Sequence, residues 1–340
     1  MINQDLPVCS VIVLNYFGEK ILEKNINSLL KLSYPEKKYE IIIVDNNSKD
    51  KSKKIILDYE KKHKNIKTVI LKKNLGFAKG NNTGINIAIG KYVVLLNNDC
   101  IVKKDWLKNL VKTAEKSSDI FAVNSKIILY NTNKIQNAGI MVFQDGYGRD
   151  IGANIKYHSQ DYEIDKEQYA KERDIYAACG AASLFRMSIL KKIGYFDDDF
   201  FMYYEDVEIS ERARLHGYRI RYCPSAIVYH HHAFSSIEGS PKFTYNAEKG
   251  RLLHIFYNFP FTVFLFEYWL FSLSAAVRLI KEIYLIKKIS NNMQHIFVCA
   301  YFFSSFPRLA FKKIAKNTGI PKDAIQRNYQ VILSGDWYFQ

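Results

Sequence analysis

Short β-branched apolar runs alternate with amphipathic segments through the first hundred residues. Residues 8–14 (VCSVIVL) form a continuous apolar run of strand length, which predicts a strand buried on both faces. Residues 18–32 then place Ile21, Leu22, Ile26, Leu29 and Leu30 at helical spacing. The alternation continues with a strand at 40–44 (EIIIV), a helix at 53–62 and a strand at 66–71. A helix at 77–89, entered through a glycine-containing loop, and a strand at 92–96 (YVVLL) follow. Such repetition predicts an α/β domain with a mainly parallel sheet, flanking helices and right-handed crossovers. Ligands of such sheets bind beyond the carboxyl ends of the strands. Three polar clusters stand at those ends: Asn15-Tyr16, Asp45-Asn46-Asn47-Ser48 and Asn97-Asn98-Asp99.

Further along, 121–129 and 140–143 read as strands, and 145–171 is polar without a period. Residues 177–185 are small and apolar, 187–193 a short helix stopped by Gly194, and 205–216 a helix with Gly217 as its C-cap. Residues 219–229 form a strand that runs into His230-His231-His232. Composition shifts near residue 240, which divides the chain into 1–240 and a helical, aromatic, basic extension at 241–340. Residues 261–277 carry one charge, Glu267, and 295–306 form a second apolar run ended by Pro307. Neither run reaches the ~20 apolar residues of a spanning helix. Arg278, Lys281, Lys287, Lys288, Arg308, Lys312, Lys313 and Lys316 flank them. An apolar face with a basic margin predicts a helix lying in a membrane interface. The alternative is a helical layer packed on the first domain or on a second subunit.

The 340 residues carry 49 Lys plus Arg against 34 Asp plus Glu, a formal charge of +15. That excess points to an anionic partner. No zinc-finger spacing or RNA-recognition signature favours nucleic acid. Five cysteines, scattered and without a CxxC pair, argue against a disulfide scaffold or a four-thiolate zinc site and fit a reducing cytosol. The first residues show no basic segment followed by an apolar stretch, so no secretory leader is expected.

Several residues have chemistry suited to a site. Asp99, at a strand end, suits a divalent cation that prefers oxygen ligands, although Asn-Asn-Asp is also good turn chemistry. Asp45 suits a base imide or a ribose hydroxyl, or alternatively a turn with Ser48 as helix cap. Residues 74–84 (NLGFAKGNNTG) combine close backbone approach with amides, yet match neither GxGxxG nor GxxxxGK[ST]. Within 196–206 (FDDDFFMYYED), Asp197, Asp198 and Asp199 read as a solvated turn. Glu205-Asp206, after four large side chains at a helix start, is the shielded pair suited to general-base work. Glu208 and Arg212 are spaced as an ordinary helix pair. One histidine of 230–232 suits a metal, or the triplet is half-exposed and inert.

Taken in order, SVIVLNY, IIIVDNNS, NLGFAKGNNTGI, VVLLNND, CGAASLFR, IGYFDDDFFMYYEDVEISERARLHGY and VYHHHAFSS resemble the inverting family-two glycosyltransferases of the GT-A fold. The nearest branch includes rhamnosyltransferases and related enzymes of bacterial cell-surface polysaccharide. The resemblance spans residues 8–236 and implies that Asn15 and Tyr16 line a nucleotide pocket, with Asp45 on the base or ribose. It places Gly76, Lys79, Asn81 and Asn98 near the nucleotide sugar, and Asp99 with His230 on a Mg²⁺ or Mn²⁺ ion, His232 being the reserve. Asp206 becomes the catalytic base beside Glu205, and Gly180, Arg186 and Tyr204 lie on the acceptor side. Asn97 stands where a strict DxD has its first carboxylate, which leaves one fewer ligand. The implied partners are a nucleotide-sugar donor, a glycan or polyprenyl-diphosphate-linked acceptor, and the inner membrane surface, with homo-oligomers through the C-terminal helices as another possibility. A metal-dependent nucleotidyltransferase and a non-enzymatic basic membrane adaptor are the competing classes.

Overall fold

A computed structural model describes residues 6–153, 162–231, 239–286 and 293–335. The first half alternates as its pattern predicts: β1 (Cys9–Asn15), α1 (Leu22–Leu30), β2 (Tyr39–Asp45), α2 (Ser52–Lys62), β3 (Ile66–Ile70), α3 (Gly76–Ile87) and β4 (Tyr92–Asn97). β1 pairs in parallel with β2 and β4, and β2 with β3. The apolar runs are continuous because both faces are covered. Val11 and Val13 enter one core with Leu22 and Ile26, while Ile12 enters the opposite core with Ala78 and Ile85.

The second half is more mixed: β5 (Cys100–Val102), α4 (Trp106–Ala114), β6 (Ile120–Leu129), β7 (Ile135–Asn137), β8 (Ile140–Val142), β9 (Gly148–Asp150) and β10 (Arg173–Asp174). They are followed by β11 (Ala182–Arg186), α5 (Met187–Ile193), α6 (Glu205–Leu215) and β12 (Arg219–His230). The main sheet runs β10-β12-β6-β11-β4-β1-β2-β3, with β5 on β12 and β7 on β6. β11 is antiparallel to both β4 and β6. α4, which the pattern did not single out, is anchored by Trp106, fully buried with its indole N–H donating to Ser125 at 2.8 Å.

The C-terminal helices are α7 (Pro241–Asn258), α8 (Phe261–Lys281), α9 (Met293–Lys316) and α10 (Ala324–Ser334), with a π-helical turn over Glu282–Ile286. The compositional shift near residue 240 does not separate two cores. Leu252, Leu253 and Phe256 of α7 share one apolar cluster with Phe200, Val207 and Ile209.

Three expectations for this region change. α8 with its π-turn is a 24-residue apolar segment, Phe261–Tyr284, long enough by length and composition to cross a membrane. α9 does not stop at Pro307, which lies on its exposed side, but continues to Lys316. The acidic run before α6 is no solvated turn. Asp197 is buried between Lys312 and Lys316, and Asp199 pairs with Arg308 at 2.8 Å and Lys312 at 2.7 Å. Much of the basic margin is therefore consumed inside the fold. Lys287, Lys288 and His232 lie outside the described residues.

Candidate active site

The parallel register brings the strand ends together. Asn15 lies opposite Asp45, and Leu14 opposite Asn97. Asn98 donates to Asn15 Oδ1 at 2.8 Å, and Asn15 Nδ2 donates to Asp45 Oδ1 at 2.9 Å. The other Asp45 oxygen accepts the Ser48 N–H at 3.0 Å. Asn15 and Asp45 are thus a buried polar brace behind the wall of the site. Their neighbours Tyr16 and Asn46 face a cleft of about 290 Å³.

Two groups of candidates line that cleft. Asp99 and His230 lie together because β5 pairs antiparallel with β12, setting His230 opposite Cys100. His230 Nε2 stands 3.0 Å from Asp99 Oδ1, and its Nδ1 stands 2.7 Å from Gln136 Oε1. With Gln136 accepting, Nδ1 carries the proton, so the Nε2 lone pair faces a carboxylate oxygen. Two acceptors at that distance call for a shared proton or a cation. Asp99, Cys100 and His230 form a possible ligand cluster. Burial keeps the Cys100 thiol protonated, and its S–H points to the Ala181 carbonyl. The oxygen and nitrogen of Asp99 and His230 therefore fit a hard divalent ion better than the thiol does.

Glu205 and Asp206 line the same cleft from the first turn of α6. Gly180 N–H donates to Asp206 Oδ2 and Val207 N–H to Oδ1, each at 2.8 Å. Burial pushes the Asp206 carboxyl above its ordinary range and Glu205 higher still, with the Asp206 charge adding to the latter. Oε2 of Glu205 is buried without a hydrogen-bond partner among the described residues. Tyr203 and Tyr204, just before this pair, both hold left-handed backbone, with φ of 73° and 69°. Such conformations cost roughly 1–3 kcal/mol each and concentrate at functional sites. Gly250 of α7 permits the turn, since a Cβ there would lie 2.8 Å from the Tyr203 carbonyl oxygen.

A second cavity of about 220 Å³ adjoins the first and shares Asp150, Tyr203, Glu205 and Asp206 with it. Tyr204 lines this second cavity, and its hydroxyl accepts the Gly148 N–H at 3.3 Å. Gly76 and Gly180 line the main cleft. Asn81 is buried beside it and donates to the Phe77 carbonyl. Lys79 is not in the wall: its half-exposed ammonium pairs with Asp198 at 3.1 Å. Arg186 is a correction. It pairs in register with Tyr92, at the far end of β4, and donates to the carbonyls of Ala114, Ser117 and Ile120. It braces the opposite end of these strands and does not line the cleft.

Gln136 and Asp150 were not anticipated. Each lies on a three-residue strand beside a second polar residue, Asn137 and Arg149, where no spacing announces it. Deeper in α6, Glu211 Oε2 stands 3.0 Å from His254 Nε2 of α7, both fully buried.

The family model described as Glycosyl transferase family 2 matches residues 10–194. A poly-beta-1,6-N-acetyl-D-glucosamine synthase of Staphylococcus epidermidis is 30% identical over 227 residues, covering 67% of this chain and 50% of the relative. The putative teichuronic acid biosynthesis glycosyltransferase TuaG of Bacillus subtilis is 34% identical over 116 residues, covering 34% of this chain and 45% of the relative. The chain thus spans about half the length of these curated relatives. Among solved structures, GalNAc-T7 with UDP, GalNAc and Mn²⁺ aligns with a TM-score of 0.59 at 17% identity, over 75% of this chain and 48% of that one. S. aureus TarS 1-349 aligns with a TM-score of 0.52 at 20% identity, over 97% and 91%. These structural matches bear on the fold, which is GT-A-like.

Proposed function

Because this chain belongs to glycosyl transferase family 2, we propose that it transfers a sugar from a nucleoside-diphosphate sugar to an acceptor hydroxyl, with inversion at the anomeric carbon. The observation that carries this reading is one cleft lined by Asp99 and His230 together with Glu205 and Asp206. On this reading the donor is dTDP-rhamnose or a UDP-sugar, as in the rhamnosyltransferase-like branch. The acceptor is a glycan or a polyprenyl-diphosphate-linked sugar of cell-surface polysaccharide synthesis. Such lipid-linked acceptors place the enzyme in the cytoplasm, at the inner membrane surface.

Asp99 and His230 would hold Mg²⁺ or Mn²⁺, which supplies Lewis-acid stabilisation of the leaving diphosphate. The need for it is physical: no described Lys or Arg is among the residues lining the cleft. Gln136 fixes the imidazole tautomer, and Asn15, Asp45 and Asn98 hold the strand ends that shape the nucleotide side. The acceptor enters through the second cavity, between Tyr203 and Tyr204 and the carboxylates. Asp206 takes the proton of the attacking hydroxyl, a step worth ~10²–10⁴-fold. Two backbone N–H donors hold its oxygens while burial raises its basicity. A single in-line displacement requires no second carboxylate as nucleophile.

A thermal-shift panel of nucleotide sugars, each with and without Mn²⁺ or Mg²⁺, tests the donor side. Specific binding raises the melting temperature by mass action. The reading expects a shift that needs both sugar nucleotide and cation, and that Asp99→Asn removes. A panel in which no nucleotide sugar shifts the protein overturns it.

A further inference from the structure

The outward face of α8 is apolar and faces solvent. Leu265, Phe266, Trp269, Leu273, Val277 and Ile280 are between 49 and 59% exposed. At ~100° per residue these side chains share an arc of about 120° that contains no charge. At ~1.5 Å per residue, the Phe261–Tyr284 segment makes a strip ~36 Å long. An exposed apolar strip of this size marks an interaction surface.

The opposite face of α8 is tied into the protein. Phe264, Phe271 and Ala275 are buried, Glu267 meets Arg251 of α7 at 3.3 Å, and Tyr268 donates to the Cys299 carbonyl of α9 at 3.1 Å. α7 in turn lies in the core beneath α6. A helix held along one face this way cannot cross a bilayer without stranding those partners, whatever its length permits.

Charge distinguishes the remaining occupants. Lys281 flanks the strip about 40° beyond its edge, while Arg278 is turned toward α9 and meets His295 at 3.4 Å, and Lys287 and Lys288 follow in the sequence. The two acids of the segment are unavailable to a partner, since Glu267 is engaged by Arg251 and Glu282 is buried. A second copy docked through this face would bring cations with no carboxylate to meet them. Anionic lipid headgroups supply that countercharge, and acyl chains accept the aromatic and aliphatic strip.

We infer that α8 lies flat on an anionic bilayer surface, its Leu265–Trp269–Leu273–Ile280 face buried among the lipids and Lys281 at the headgroups. This deepens the membrane partner proposed above but is argued from the helix face, independently of the chemistry of the cleft.

The test uses the full chain, sedimented with vesicles of phosphatidylcholine alone or mixed with phosphatidylglycerol. Binding is expected to the mixed vesicles, to weaken at high salt, and to release in alkaline carbonate. Trp269→Glu with Leu273→Glu should abolish it, and Lys281→Glu should weaken it roughly tenfold. Retention after carbonate would mean a spanning helix and overturn the inference. So would failure to bind, whether light scattering then shows a dimer dissolved by the Trp269→Glu variant or a monomer. Nucleotide-sugar thermal shifts on the same preparations keep the two readings separable, because a soluble protein that still binds donor sinks only the membrane surface.

Discussion

Lys316, near the end of α9, stands 2.6 Å from the fully buried carboxylate of Asp197, nine residues before the catalytic candidate Asp206. The same ammonium meets Glu208 at 2.6 Å, so the C-terminal layer is latched to the segment that presents the proposed base. Burial alone would raise the Asp197 carboxyl, but Lys316 and Lys312 outweigh it and hold the group well below the usual carboxylate range.

Removing one partner of a buried ion pair leaves an uncompensated charge. Lys316→Met should therefore cost about 3 kcal/mol of stability by denaturant unfolding, with Lys312 softening the loss. The sign of the pH effect follows from the depressed carboxyl. Its contribution is complete above the unfolded-state value and is lost as pH falls through the lower folded one. The wild type should keep its stability into moderate acid, and the variant should lose less on further acidification because it has less to lose.

Gln136 is predicted to matter through His230. Gln136→Leu removes the acceptor at Nδ1 and frees the imidazole to take the other tautomer, with its proton on the ligating nitrogen. Mn²⁺ affinity should fall ~10–100-fold, as for other partners behind a metal ligand. Titration of Mn²⁺ in the presence of UDP checks it; an unchanged affinity would remove Gln136 from the account.

Burial raises the Asp206 carboxyl, and a base must be ionised to act. Transfer should therefore rise with pH through a limb lying above the ordinary aspartate range of ~4. A kcat/KM profile that is flat from pH 5 upward would argue against a raised carboxyl as the base.

The Glu211–His254 pair gives a stability profile of a defined shape. Burial pushes Glu211 up to about 8 and His254 down to about 3. Unfolding takes up a proton at His254 between pH ~3 and the ordinary histidine value of ~6.5, so this term makes stability rise with pH. Unfolding releases a proton from Glu211 between pH ~4.5 and ~8, so that term makes stability fall. The two oppose each other from ~4.5 to ~6.5, and only the falling arm remains above. Glu211→Gln should flatten the decline between pH 6.5 and 8 in urea unfolding.

What could be read from the chain, and what could not, follows from the range of the interactions. β1 and β2 are legible because Val11, Ile12, Ile41 and Ile42 are buried on both faces, and a run of such residues is local information. Asp99 and Asp206 stand beside short recognisable runs. Arg186 misled because its neighbours in sequence, Gly180 and Ala181, do lie at the cleft. The antiparallel insertion of β11 between β4 and β6 sends the chain away from the site within five residues, and no local pattern marks that reversal. Asp197 and Asp199 look like a solvated turn until Arg308, Lys312 and Lys316 arrive from more than a hundred residues downstream. Gln136 and Asp150 carry no periodicity, and only the pairing of β7 with β6, and of β9 with β8 in a separate two-stranded ladder, brings them to the cleft.

The central claim is sugar transfer at a cleft in which Asp206 removes the acceptor proton. Its most direct measurement is product analysis with the donor identified by thermal shift, a glycan acceptor and Mn²⁺, for wild type and Asp206→Asn. The account predicts release of nucleoside diphosphate with a glycosylated acceptor, and a variant that still binds the donor but transfers ~10²–10⁴-fold more slowly. Release of pyrophosphate, or a variant as fast as the wild type, would contradict it.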